Sequence, residues 1–287
     1  MQRFSIDKGD VIGAVYQPDH GSTGCAVVLG GSGGGVPDRL AQRVARTGVT
    51  AFGLAYFGAR GLSPALEEVP LERLQRAIDL FRRRYGHRRP VGLVGSSKGA
   101  ELALCLASRV GDLIGPVIAV SPSSVSWYGL HGSGRPSMQR PSWTWGGSPV
   151  PFLPFLHGAT PSFSPDAGLR VDSCYEPSRY PREQVDAARL PVEMAVGPIL
   201  ILAGDDDHMW PSAPMAAQIT DRLHTHGRDG DVCSVVYQGA GHTFLHHDPE
   251  PRAVPTRSRW DFGGSPAADA EACHDAWKRI AAFLQAG

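Results

Sequence analysis

The residues best suited to chemistry are Gly95-Ser96-Ser97-Lys98-Gly99, a G-x-S-x-G pentapeptide between the apolar run VGLV and the helical stretch AELALCLAS. A sharp strand-to-helix turn at such a motif holds a serine in a strained conformation, and small residues on both sides let the turn close. Ser97 is the candidate nucleophile, and the backbone N–H of Lys98, at the helix start, is a candidate donor to a developing oxyanion. A serine needs a base and the base needs an orienting acid. Downstream, ILILAGDDD ends an apolar run in Asp205, Asp206 and Asp207, and VVYQGAGH ends the next in His242. Asp207, three residues past the turn glycine Gly204, is the candidate acid, with Asp206 as the alternative. The glycine run Gly30-Gly31-Ser32-Gly33-Gly34-Gly35 follows another apolar run, CAVVL, and offers backbone N–H groups that approach a carbonyl without Cβ clashes. Ser32 or Gly33 is the expected second oxyanion donor. A phosphate cradle would need G-x-x-x-x-G-K-[ST] or, for a dinucleotide, G-x-G-x-x-G, and this loop carries neither.

These residues need elements to hold them, and the pattern supplies short apolar strands alternating with amphipathic helices, an α/β chain with a mostly parallel sheet. Arg3–Ile6 and Val11–Tyr16 read as a hairpin, and Cys25–Leu29, Val49–Tyr56, Val91–Val94, Val117–Val120, Pro198–Ala203 and Cys233–Tyr237 read as strands. Helices are expected near 37–46, 71–85, 98–110, 214–225 and 267–284. The chain order Ser, acid, His, with a glycine loop after an early strand, is the order of the α/β-hydrolase fold, here of roughly eight strands. From Ser121 to about Arg189 the chain turns rich in Ser, Pro, Gly and aromatic residues. A long irregular segment between regular elements reads as a functional insertion, a lid over about 123–189 on a single domain spanning 1–287. Its aromatics are expected mainly to build the lid's own core, with a minority lining an acyl pocket.

Composition excludes several other classes. The 287 residues carry 28 Lys+Arg against 28 Asp+Glu, so the chain lacks the basic footprint of a nucleic-acid binder. At 42% hydrophobic and 20% charged residues it has the makings of a large core. Its five cysteines form no C-x-x-C pair, which suits reduced thiols in the cytoplasm. The start, MQRFSIDKGD, carries charge where a signal peptide is apolar, and no run reaches the ~18 apolar residues of a membrane span. His246 and His247 lie close to His242, but no carboxylate or thiol stands at ligand spacing, so no metal is expected, and no cofactor. His208, beside the acid, reads as a structural or pocket residue. The basic run Arg82–Arg89 lies at a helix end on the opposite edge of the sheet from the serine and reads as a solvated turn. Cys105, on the apolar face of the helix after the serine, reads as packing.

The strings GGSGGG, GSSKGAELALCLAS, GPILILAGDDDHMW and YQGAGHTF, with the closing WDFGGSP…HDAWKRIAAFL, resemble the catalytic domain of the acyl-CoA thioesterase and bile acid-CoA:amino acid N-acyltransferase family. The resemblance covers about Cys25 to Leu284 and implies Ser97, Asp207 and His242 as the triad. It implies an acyl thioester substrate. In that family the N-acyltransferases use cysteine as nucleophile and the thioesterases use serine, so Ser97 implies hydrolysis. Vertebrate members begin with a β-sandwich domain, whereas only about two dozen residues precede the first matched strand here.

The expected function is therefore serine hydrolysis of an acyl-CoA or carrier-bound acyl thioester, with no nucleic-acid or membrane partner. The alternatives are a serine acyltransferase or carboxylesterase on a small acyl substrate, and a non-catalytic ligand-binding hydrolase fold. The insertion, where the resemblance is weakest, is where substrate choice would be written.

Overall fold

A computed structural model describes residues 1–86, 89–131, 136–156, 158–247 and 259–286. Eight strands form the main sheet: β1 (Gln2–Lys8), β2 (Val11–Gln17), β3 (Cys25–Leu29), β4 (Thr50–Ala55), β5 (Val91–Ser96), β6 (Ile114–Val120), β7 (Ile199–Gly204) and β8 (Val232–Tyr237). Their order is β1-β2-β4-β3-β5-β6-β7-β8. The hairpin β1–β2 and its junction with β4 are antiparallel, and every other pairing is parallel. Parallel strands at the sheet's centre are covered on both faces and so read as unbroken apolar runs. β5 (VGLVGS) and β7 (ILILAG) are buried at every position.

The helices are α1 (Asp38–Ala45), α2 (Leu71–Tyr85), α3 (Lys98–Ala107), α4 (Arg182–Ala188), α5 (Ser212–Thr225) and α6 (Pro266–Ala286). The two-residue period of the strands sorts their side chains into two cores. Val27, Leu29, Ile199 and Ile201 join the core under α2, α3 and α5, while Ala26, Val28, Leu200 and Leu202 join the core under α1 and α6. The apolar stripe Leu71, Leu74, Ile78 and Phe81 is the buried face of α2, as its spacing predicts.

The chain moves outward from β3 to β4, then returns through α2 to β5 on β3's other side. That reversal opens a crevice at the carboxyl ends of β3 and β5, where ligands bind in open α/β sheets. The glycine loop and Ser97 both stand there.

Residues between β6 and β7 are less irregular than their composition predicts. They hold short two- and three-strand ladders, including Tyr128–Leu130 against Pro136–Pro141 and Trp143–Trp145 against both Val69–Pro70 and Ser148–Pro149, as well as α4. Their Pro and Gly content hides pairings of two or three residues, too short for periodicity to register. Among the described residues, no helix is long and apolar enough to cross a membrane.

Candidate active site

The turn between β5 and α3 explains its own sequence. A Cβ on Gly95 would lie 2.1 Å from the Gly99 carbonyl oxygen, and one on Gly99 would lie 2.2 Å from that of Leu29 and 2.4 Å from that of Gly30. Only glycine lets α3 begin against β5 and β3 at this distance. Ser97 between them has φ 58° and ψ −125°, a conformation costly to a residue with a Cβ. Its N–H donates to the Val120 carbonyl at 2.9 Å, which ties the turn to the end of β6.

Three elements bring their side chains to this point. His242, on the loop after β8, has Nε2 2.8 Å from Ser97 Oγ and Nδ1 2.8 Å from Asp207 Oδ2. Asp207, after β7, accepts the Met209 and Trp210 N–H groups on Oδ1 at 2.9 and 3.2 Å, so both carboxylate oxygens are committed. The Asp207 and His242 side chains are 1% and 5% exposed, which shields the pair from competing water. An imidazole placed between a hydroxyl and a carboxylate in this way can take the serine proton while the acid fixes its tautomer.

Asp206, the alternative acid, turns away from His242. One of its oxygens lies 3.0 Å from His208 Nε2 and the other accepts the Gly264 N–H. His208 Nδ1 lies 2.8 Å from Asp261, so His208 holds the loop after β7 to the closing segment before α6. Burial raises the Asp261 carboxyl, but the Gly263 N–H and His208 outweigh it and keep the group below the usual carboxylate range.

The glycine loop lies against the serine at Gly31. A Cβ there would come within 3.3 Å of Ser97 Cβ. Ser32 and Gly33, the residues expected to donate, line the adjoining cavity. The Tyr56 hydroxyl donates to the Gly30 carbonyl at 2.6 Å, bracing the loop from below.

Three further features escape sequence reasoning. Ser121, at the end of β6, has φ 47°, and its hydroxyl donates to the His242 carbonyl at 2.8 Å. Trp210 sets its ring edge-on to His242 at 5.6 Å and donates its indole N–H to the Ser121 carbonyl. The Phe262 ring lies nearly parallel to the imidazole at 6.3 Å, and its carbonyl accepts the His242 backbone N–H at 2.7 Å. The strings DDDHMW and WDFGG, which hold Trp210 and Phe262, carry an advance signal, since both belong to the family resemblance without a role attached to either ring.

Beside Ser32 and Gly33 opens a cavity of about 520 Å³, walled by Tyr128, Phe155 and Tyr175 from the residues between β6 and β7 and by Met209 and Phe262. Trp127 and Trp143 are fully buried instead, and Phe163 is exposed. Burial pushes the Tyr128 hydroxyl well above its ordinary value, keeping it neutral in the cavity wall.

Arg84 and Arg89 line a hollow with Gly92 and Cys25, at the opposite end of the strands from Ser97. Arg82 and Arg83 pair with Asp79, and residues 87 and 88 of the same basic run lie outside the described residues. His246 lies at the outer side of the glycine loop.

Residues 69–286 match the family described as BAAT / acyl-CoA thioester hydrolase C terminal. The chain belongs to that family. It is 30% identical over 298 residues to acyl-coenzyme A thioesterase 6 of Mus musculus. It is 28% identical over 301 residues to acyl-coenzyme A amino acid N-acyltransferase 2 of Rattus norvegicus. Each alignment covers 99% of this chain, which spans 65% of each relative's length. Among solved structures it resembles a putative dienelactone hydrolase from Klebsiella pneumoniae (TM-score 0.59, 14% identity, 99% of both chains covered). It also resembles an acylaminoacyl peptidase from Pyrococcus horikoshii (TM-score 0.62, 15% identity, 99% of this chain and 41% of that one). These likenesses establish the α/β-hydrolase fold that the order Ser, acid, His predicts.

Proposed function

We propose that this family member hydrolyses acyl thioesters, acyl-CoA or a carrier-bound acyl chain, by way of a serine acyl-enzyme. The observation that carries the reading is the hydrogen-bonded line Ser97–His242–Asp207, with serine as its first member. The mostly apolar cavity lined by Ser32 and Gly33 of the adjoining glycine loop, and by Phe262 next to His242, supports an acyl substrate. His242 Nε2 takes the proton of Ser97 Oγ as that oxygen attacks the thioester carbonyl carbon. Asp207 holds Nδ1–H and stabilises the imidazolium. The oxyanion lies between the Lys98 N–H and the glycine loop, where Ser32 or Gly33 donates. As the C–S bond breaks, His242 returns the proton to the departing thiolate. Water, activated by the same imidazole, then attacks the acyl-enzyme and releases the acid and Ser97. Residues 123–189 act as the lid of a single catalytic domain, and their aromatics select the acyl group. The five free thiols suit a reducing compartment, the cytoplasm.

The relatives include an N-acyltransferase as well as thioesterases, so acyl transfer to an amine is the second reading. One experiment separates them. The protein and its Ser97→Ala variant are incubated with a panel of acyl-CoAs and aryl esters, with and without glycine or taurine, following thiol, phenol and amide. Thiol release that is lost in the variant and forms no amide supports hydrolysis. An amide product shifts the reading to transfer, and turnover of esters alone to a carboxylesterase. A protein whose Ser97 takes no fluorophosphonate label is not a serine enzyme at all.

A further inference from the structure

Directly beneath Ser97 lies a charged pair that takes no part in the steps above. Lys98 and Glu101 stand one turn apart at the start of α3, their side chains 3% and 0% exposed, with Lys98 Nζ donating to Glu101 Oε2 at 2.8 Å. Burial lowers the Lys98 ammonium from its ordinary value, with the carboxylate pulling the other way. A buried pair of this kind adds little net stability over apolar side chains of the same size, because desolvation offsets the attraction. Its position points to a different use.

The two oxygens of Glu101 face different parts of the molecule. Oε2 faces the residue whose backbone N–H follows the serine. Oε1 faces the inserted residues, accepting the indole N–H of Trp143 at 2.7 Å and the backbone N–H of Trp127 at 3.2 Å, with the Ser126 hydroxyl at 3.4 Å. From those tryptophans the contacts run on to the site. The Trp143 ring packs on Tyr56 at 5.7 Å, and Tyr56 braces the glycine loop through the Gly30 carbonyl. Trp127 meets Tyr175 edge-on at 5.0 Å, Tyr175 meets Trp210 at 5.6 Å, and Trp210 meets His242 at 5.6 Å.

We propose that Glu101 is a positioning residue: one buried carboxylate sets the oxyanion N–H of Lys98, the glycine loop and the aromatic backing of His242 relative to each other. The proposal rests on the serine mechanism of the preceding section. A carboxylate that accepts several donors away from water has little freedom, since each donor lost would leave a buried polar group unpaired. The catalytic parts come from separate elements, and a small shift between them costs far more rate than binding.

The test uses two variants. Trp143→Phe removes the indole donor while keeping a ring against Tyr56. Lys98→Met/Glu101→Gln removes both charges together, so that neither is left buried alone. Active sites are titrated with a fluorophosphonate and kcat is expressed per labelled site, so that a fraction of misfolded protein does not enter the number. Each variant is expected to lose about tenfold or more in kcat per site and in labelling rate, with KM within about twofold of the parent. Values within about threefold of the parent in both variants overturn the proposal and leave the pair as packing. If the double variant does not fold, Trp143→Phe decides alone by the same thresholds. A parent protein that takes no label sinks the serine mechanism itself, and the positioning role with it; that outcome differs from a labelled parent with unaffected variants.

Discussion

Asp207→Asn tests the orienting role of the acid without emptying its space. Asp207 Oδ1 accepts two backbone N–H groups, from Met209 and Trp210, and Oδ2 faces His242 Nδ1. An asparagine must put its carbonyl oxygen where Oδ1 was. The reverse rotamer would set its NH2 against both N–H groups and leave two buried donors unpaired, at about 1–3 kcal/mol each. Its NH2 group therefore points at His242 Nδ1, which can accept only if the ring proton moves to Nε2. That nitrogen then donates towards Ser97 Oγ instead of taking its proton. The residue's volume and its bonds to Met209 and Trp210 survive, so folding stability is expected to change by less than about 1 kcal/mol. The wrong tautomer costs about 10⁴-fold in kcat, or about 5.5 kcal/mol of transition-state stabilisation. With the acid 1% exposed, bulk water has no room to restore the tautomer. The assay is thiol release from an acyl-CoA under saturating substrate, beside the rate of fluorophosphonate labelling, which should fall in step. Asp206→Asn, which alters only the contacts with His208 and Gly264, is the control and should stay within about threefold. An Asp207→Asn protein within tenfold of the parent, or an Asp206→Asn protein equally impaired, would refute the assignment.

Other expectations rest on the turn glycine, one ion pair and the cysteines. Gly99→Ala puts a methyl group about 2 Å from two backbone oxygens and should cost more than about 3 kcal/mol, read as a lower urea midpoint or a failure to fold. Arg222 holds Glu193 through a two-pronged pair that lowers the carboxyl below its ordinary value of 4.5. The folded form thus binds its proton less readily than the unfolded chain, so the pair's contribution is full above pH 4.5 and fades as pH falls through the lowered value. Glu193→Gln should cost about 1 kcal/mol at pH 7 by chemical denaturation and nearly nothing at the acid end of that window; an equal cost at both would contradict the pairing. Burial pushes the Cys105 thiol up to about 12 and Cys25 to about 11, whereas Cys233 lies exposed on β8. Peptide mapping after brief alkylation of the native protein at pH 8 should find Cys233 modified first, and early modification of Cys105 would contradict its burial.

Sequence reasoning reached the residues whose chemistry is local to a motif. The turn that places Ser97 was legible because its two glycines flank it in the sequence, although the contacts that demand Gly99 come from Leu29 and Gly30, far along the chain; the placement of His242 was legible because a strand precedes it. The paired strands and the stripe on α2 were legible for the same reason, being periodic. What escaped depends on contacts between distant parts of the chain. Ser121 matters because β6 ends beside the His242 loop, and nothing in Ser-Pro-Ser-Ser announces a positive φ. Phe262 reaches His242 only because the segment before α6 folds back over the loop after β7. The short ladders between β6 and β7 pair with residues as remote as Val69 and Leu66, so their composition reads as irregular.

The proposed hydrolysis and the proposed choice of acyl group draw on different parts of the chain. Ser97, Asp207 and His242 sit on turns at the carboxyl edge of strands buried from both sides or packed by α5 and α6, so their geometry follows from the sheet. The cavity wall is different: Tyr128, Phe155 and Tyr175 come from the residues between β6 and β7, outside the main sheet. Trp127 and Trp143 anchor that wall on Glu101, within one turn of the serine. Tyr128 stacks on Tyr175 at 5.4 Å and Phe155 meets Tyr128 edge-on, so the pocket aromatics form one packed group on that anchor. Exchanging Phe155, at the outer end of the group, should therefore alter which acyl chains are accepted while leaving the Ser97–His242 contact in place. Exchanging Trp127, at its root, should disturb both together. A Phe155→Ala variant whose preference among acyl-CoAs of different length matches the parent's would show that the wall does not select the acyl group.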